Sequence, residues 1–160
     1  MAFRHTTAAL GALWLLAGPG AADADEVLTQ VALYGQELTP DDKACGLDQD
    51  LDLAAVHHAL AEKGIATVTS SDQVPRHLQV HVDAGSLRVV GGCAAVLDLK
   101  MTQVIDFRLP DSSKTILSWA VVCEKTDLLM GPTNNLGNLA QQRFQQMTDL
   151  CVAQVDRNAR

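Results

Sequence analysis

The sequence predicts an α+β fold: a two-layer sandwich in the order β-α-β-β-β-α, with two helices on one face of a mainly antiparallel sheet and two disulfides. Three observations carry this. Residues 77–83, 93–109 and 114–123 alternate apolar and polar side chains with the period of a strand that is buried on one face. Residues 134–156 repeat apolar positions at helical spacing. Four cysteines, Cys45, Cys93, Cys123 and Cys151, all lie downstream of an N-terminal export signal.

That signal comes first in the chain. Arg4 and His5 precede an apolar run over residues 8–17, Gly18-Pro19-Gly20 breaks it, and Ala22-Asp23-Ala24 has the small-x-small form of a cleavage site. The expectation is a signal peptide over residues 1–24, cut near Ala24-Asp25, and a single periplasmic or secreted domain over residues 25–160. The apolar run is much shorter than the roughly 20 residues that span a bilayer. No cysteine flanks the cut, so no lipid anchor and no membrane span are expected.

Val27 to Leu38 is read as the first strand on the parity of Val27, Thr29, Val31 and Leu33, although Leu28, Val31, Tyr34 and Leu38 would also suit a helix. Thr39-Pro40-Asp41-Asp42 closes it with turn chemistry. A helix follows over Leu47–Lys63. Asp48 is its N-cap, Asp50 and Asp52 complement the positive end of its dipole, and Leu53, Val56 and Leu60 form a narrow apolar face. Gly64 ends it as the C′ residue, with Ile65 placed for the accompanying apolar contact.

His77 to Asp83 is the next strand. Leu78, Val80 and Val82 point to the core, and His77, Gln79, His81 and Asp83 point away; Ala84-Gly85-Ser86 is read as the turn after it. Cys93 to Leu109 is a long strand, Pro110–Ser113 a hairpin loop, and Lys114 to Cys123 the return, with Leu117, Trp119, Val121 and Cys123 on one face. This strand is read as reaching Met130, with a bulge or break at the polar run Glu124–Asp127. The last helix runs from Asn134 to about Asp156, its stripe Leu136, Leu139, Ala140, Phe144, Met147, Leu150, Cys151 and Val155.

An exported chain with an even number of cysteines reads as a disulfide framework. The closest two are 28 positions apart, which does not suit a metal site built on closely spaced pairs. The topology selects the pairing. Cys45 and Cys93 lie at the same end of the sheet. Cys151 is about 25 Å down the last helix at 1.5 Å per residue. Cys123 is about 23 Å down the preceding strand if that strand reaches Met130. The pairs expected are Cys45–Cys93 and Cys123–Cys151.

A net charge of −7 and a pI near 5.0, without a Lys/Arg cluster, argue against nucleic acid and anionic membranes. Aromatic residues are only 4% of the chain, too few for a stacking platform. No Ser/His/Asp spacing resembles a nucleophile elbow, and no Gly-rich loop opens a helix as a phosphate site requires. His77 and His81, four apart on a strand, would stand about 13 Å apart and could not share an ion held at about 2 Å. His57 and His58 are consecutive on a helix, one expected at the core edge and the other in water. No cofactor, metal or catalytic residue is expected.

What remains is the outer face of the sheet. His77, Gln79, His81, Lys100 and Thr102 are the candidate partner surface, with Val96, Val104, Ile116 and Val122 among them. The expectation is an exported, soluble accessory protein without catalytic activity that acts on an envelope protein partner. An inhibitor of a secreted hydrolase (a protease or lysozyme) and a small-ligand or metal carrier are the alternatives. The element order resembles small envelope modules in which two helices back a mixed sheet, such as the N-terminal domain of the TolB type and lipopolysaccharide-assembly lipoproteins. The resemblance implies a fold and no residue roles.

Overall fold

A computed structural model describes residues 28–108 and 114–158; the expected signal peptide over residues 1–24 and the expected hairpin loop over residues 110–113 lie outside the described residues. The fold is α+β, a five-stranded, mostly antiparallel sheet carrying helices, closed by two disulfides. The strands are β1 Gln30–Gly35, β2 Ala66–Val68, β3 Gln79–Val89, β4 Gly92–Arg108 and β5 Thr115–Gly131. The helices are α1 Pro40–Ala44, α2 Gln49–Glu62 and α3 Thr133–Asn158. Strand order is β2-β1-β3-β4-β5. β1 runs parallel to both β2 and β3, while β3–β4 and β4–β5 are antiparallel.

The predicted order holds, with two short elements inserted. Thr39-Pro40-Asp41-Asp42 does not merely turn the chain but starts the single turn of α1. Thr39 Oγ1 accepts from Asp42 N–H while the Asp42 carboxylate accepts from Thr39, a capping box with Pro40 at the first helical position. β2 is three residues long, too short to show a period, and it makes the β1-to-β2 connection a parallel crossover through α1 and α2. Among the described residues the first strand covers Gln30–Gly35, and the backbone bonds at its two ends are Ala66 N–H to the Thr29 carbonyl and Gln36 N–H to the Val82 carbonyl.

α2 begins and ends where its caps place it. Asp48 Oδ1 accepts from the N–H groups of Asp50 and Leu51, and Gly64 has the left-handed φ of 75° that suits a C′ glycine. His77 does not belong to β3. It sits with Arg76 in a 3-10 turn, both at positive φ, and the strand starts at Gln79. Nor does the strand turn at Ala84-Gly85-Ser86. β3 stays paired with β4 as far as Val89↔Gly92, and the chain reverses at Val90-Gly91. Beyond the Gln36 N–H bond to the Val82 carbonyl, no strand among the described residues flanks β3 on its β1 side. There the Asp42 carboxylate accepts from the Ser86 backbone N–H and hydroxyl, standing in for the missing strand. Burial alone would push the Asp42 carboxyl up, but the bonds from Thr39 and Ser86 outweigh it and hold the group below the usual carboxylate range.

β5 crosses the polar run without a break. The irregularity falls just before it: Cys123 pairs with Met101 and Val121 with Thr102, so Val122 is one extra residue on β5. One extra residue exchanges the two faces. Leu117, Trp119 and Val121 therefore stand on the outer face with Thr102 and Val104, opposite the core-facing Cys123.

The core lies between the helices and the inner face of the sheet. Val31, Val80, Val82, Cys93, Ala95, Leu97, Leu99 and Met101 meet Val56 and Leu60 of α2 and Leu136, Ala140, Phe144, Met147 and Cys151 of α3. Leu150, expected in the α3 stripe, is exposed, and Val152 takes the buried position instead. Both disulfides join the predicted partners, Cys45–Cys93 at Cα–Cα 5.8 Å and Cys123–Cys151 at 5.5 Å. Loops of 48 and 28 residues correspond to about 4.1 and about 3.6 kcal/mol in the chain-entropy description. Replacing Cys123 and Cys151 together by Ser is expected to lower the unfolding free energy in urea by about 3–4 kcal/mol, and a loss below about 1 kcal/mol would mean that this bridge does not tie the sheet to α3.

Candidate functional site

The expected partner surface is the middle of the outer face, and its polar groups are largely spent on one another. His81 Nε2 bonds Gln79 Oε1 at 2.9 Å, and its ring stacks on Tyr34 with centroids 5.4 Å apart. Lys100 Nζ meets Glu124 at 2.8 Å, which holds its pKa above the ordinary lysine value, with Asp98 and Asp83 adding to the effect. Thr126 donates to Asp98 at 2.9 Å. His77 stands apart from the others, its Nδ1 3.0 Å from the Ser71 carbonyl oxygen. The chain over residues 69–78 crosses the outer side of β1: Ser71 N–H donates to the Tyr34 hydroxyl, and Val74 is buried. Gln79, His81, Lys100 and Thr102 thus share a band. His77 borders it from the turn.

The unsatisfied surface lies above and below this band. Toward the β3–β4 turn, Leu87, Ala94 and Met130 form one cross-strand row, and Val96 and Leu128 stand together in the next. Leu87, Val96, Leu128 and Met130 are between 49% and 70% exposed. Leu87, Val96 and Leu128, with Gln36, Glu37, Thr39 and Asp42, shape an open trough of about 720 Å³, edged by Glu37, Asp83 and Asp98. At the other end, β3 pairs with β4 no further than Thr102, so β4 and β5 continue as a two-stranded ribbon. Leu117, Trp119 and Val121 are exposed on one side of that ribbon, Phe107 and Ile116 on the other. A two-stranded ribbon is marginal in water by itself. Among the described residues, β5 also pairs with no strand on its outer edge.

Val122 and Ile116, expected on the outer face, are not there. Val122 is half-buried at the bulge, and Ile116 falls on the inner side of the ribbon. Sequence reasoning missed Leu87, Leu128 and Met130, because each sits beyond a turn or break that the structure does not contain. Trp119 was placed on the wrong face because a one-residue bulge leaves no mark on periodicity.

The histidines remain dispersed. His57 Nδ1 lies 2.7 Å from Thr67 Oγ1 and His58 Nδ1 3.7 Å from Glu62; both rings are exposed, so neither edges the core. Among the described residues, no group of three or more His, Cys, Asp or Glu could hold a metal ion, and no helix is long and apolar enough to cross a membrane.

One buried group stands out. Asp52 is 2% exposed, neither carboxylate oxygen has a hydrogen-bond partner among the described residues, and its pKa is pushed up to about 7 by burial, with Asp48 adding repulsion. It borders a 10 Å³ cavity with Gln36, Leu38, Gln49, Leu53, Val82 and Ala84, room for about one water molecule. The sequence carried a signal for it, since Asp52 heads the row 52–56–60 whose other members, Val56 and Leu60, are core. The sequence reading assigns it only to the positive end of the helix dipole.

No known family matches the chain, and no curated protein matches it.

Proposed function

We propose that this is an exported accessory protein, without catalytic activity, that works by binding an envelope protein through the outer face and free edge of its sheet. The observation that carries the reading is the pair of apolar surfaces on that face. Leu87, Val96, Leu128 and Met130 lie at one end, and Leu117, Trp119 and Val121 at the other, around a polar band whose groups are engaged with one another. Contiguous exposed apolar side chains on one face of a sheet are the usual mark of a docking surface. The disulfides fit an oxidising compartment.

The test is cross-linking in the envelope of the host, purification through a C-terminal tag and mass spectrometry. It compares the protein with a variant carrying Leu128→Ser and Trp119→Ser. A protein that co-purifies with the natural sequence and is lost from the variant, with the melting temperature kept, is the expected result. Equal recovery from both would exclude the outer face, and reproducible recovery of nothing would exclude the interaction reading.

A further inference from the structure

We infer that the upper trough of the outer face receives a partner segment that combines an apolar face with lysine or arginine side chains; the inference rests on the interaction reading above. Its floor is Leu87, Val96 and Leu128, all exposed, and spans β3, β4 and β5. Three strands at about 4.8 Å spacing give a floor about 10 Å across, the width of a single helix. A purely hydrophilic ligand would leave that floor wet.

The rim decides the charge of the occupant. Glu37, Asp83 and Asp98 edge the trough, and no Lys, Arg or His lines it among the described residues. Asp83 stands directly across from Asp98 in the β3–β4 register, an arrangement of like charges that destabilises an antiparallel pair unless a cation intervenes. Lys100 feels both carboxylates, but its Nζ is bonded to Glu124. A fourth carboxylate, Asp42, is occupied by Thr39 and Ser86 and holds the wall of the trough in place. Acidic peptides and anionic lipid surfaces are repelled by this rim. A second copy of the chain, itself at net charge −7, would bring carboxylates to carboxylates if trough met trough.

The probe is a 14-residue helical peptide of leucine and lysine, compared with the same peptide carrying glutamate for lysine, titrated into the ¹⁵N-labelled protein. The lysine peptide is expected to shift the amide signals of Leu87, Val96 and Leu128, and the glutamate peptide to shift none of them. Leu128→Ser and the double variant Asp83→Asn with Asp98→Asn are each expected to weaken binding about tenfold. These positions lie on the surface, and Asn keeps the shape of Asp. Absence of binding, shifts spread over the whole surface, or equal affinity in the variants would overturn the inference. If the envelope partner described above is still captured, the interaction reading survives such a failure and the contact moves to the lower ribbon.

Discussion

Replacing Asp52 by Asn is expected to stabilise the protein, and to do so only as the pH rises. In the unfolded chain the carboxyl titrates near 3.8; in the fold it does so near 7. Between those values the folded state holds a proton that the unfolded state has lost. The natural protein therefore loses stability as pH climbs from about 4 to about 7, and the penalty is complete above 7. A shift of this size corresponds to at most about 4 kcal/mol at 1.36 kcal/mol per unit. Asn keeps the shape but carries no charge, so the variant escapes the penalty. Urea unfolding at pH 4 should give nearly equal stabilities, and at pH 8 Asp52→Asn should be the more stable by about 2–4 kcal/mol. A variant less stable than the natural protein at pH 8 would show that the carboxylate has a partner that this structure does not contain.

The opposite sign is expected at Gly137. An added Cβ there would collide with the carbonyl oxygen of Gly46, a backbone atom that cannot swing aside. Gly46 itself has φ of 84° and adjoins Cys45, so the loop that would have to move is tied to β4 by a disulfide. Alanine for glycine in a helix interior ordinarily gains about 1 kcal/mol. Overpacking typically costs about 1–3 kcal/mol, and more against fixed backbone. Gly137→Ala is expected to lose at least about 2 kcal/mol net, whereas Gly85→Ala, with open space around its Cβ on the outer face, should change stability by less than about 1 kcal/mol. Denaturant midpoints of the two variants test the contrast. If Gly137→Ala matches the natural protein, α3 does not pack against the Gly46 loop as closely as described.

The parts of this fold that were legible in the sequence are those where one physical signal dominates. Period two over residues 93–101 faced Cys93, Ala95, Leu97, Leu99 and Met101 to the core, and the caps at Asp48 and Gly64 bounded α2. The disulfide pairing followed from comparing heights along a strand and a helix, which works because each has a fixed rise per residue. The parts that failed depend on partners distant in sequence. Gly85 looks like a turn, but β4 pairs across it and Asp42 closes its other side. β2 exists only because β1 is beside it. The bulge at Val122 is a property of the β4–β5 register, and it carried Trp119 to the opposite face. For the candidate surface, sequence pattern found the polar band and Val96, and missed Leu87, Leu128, Met130 and Trp119 around it. Alternation identifies which side chains point outward, not which of them are already engaged with each other.

The outer face of the sheet is the surface through which this protein is proposed to meet its partner. The direct measurement places a photo-reactive amino acid singly at Leu128, at Trp119 and at Gln145 on the solvent side of α3, followed by irradiation in the host envelope. The account predicts a discrete adduct from Leu128, Trp119 or both, and none from Gln145. No adduct from either outer-face position, or the same adduct from Gln145, would contradict it.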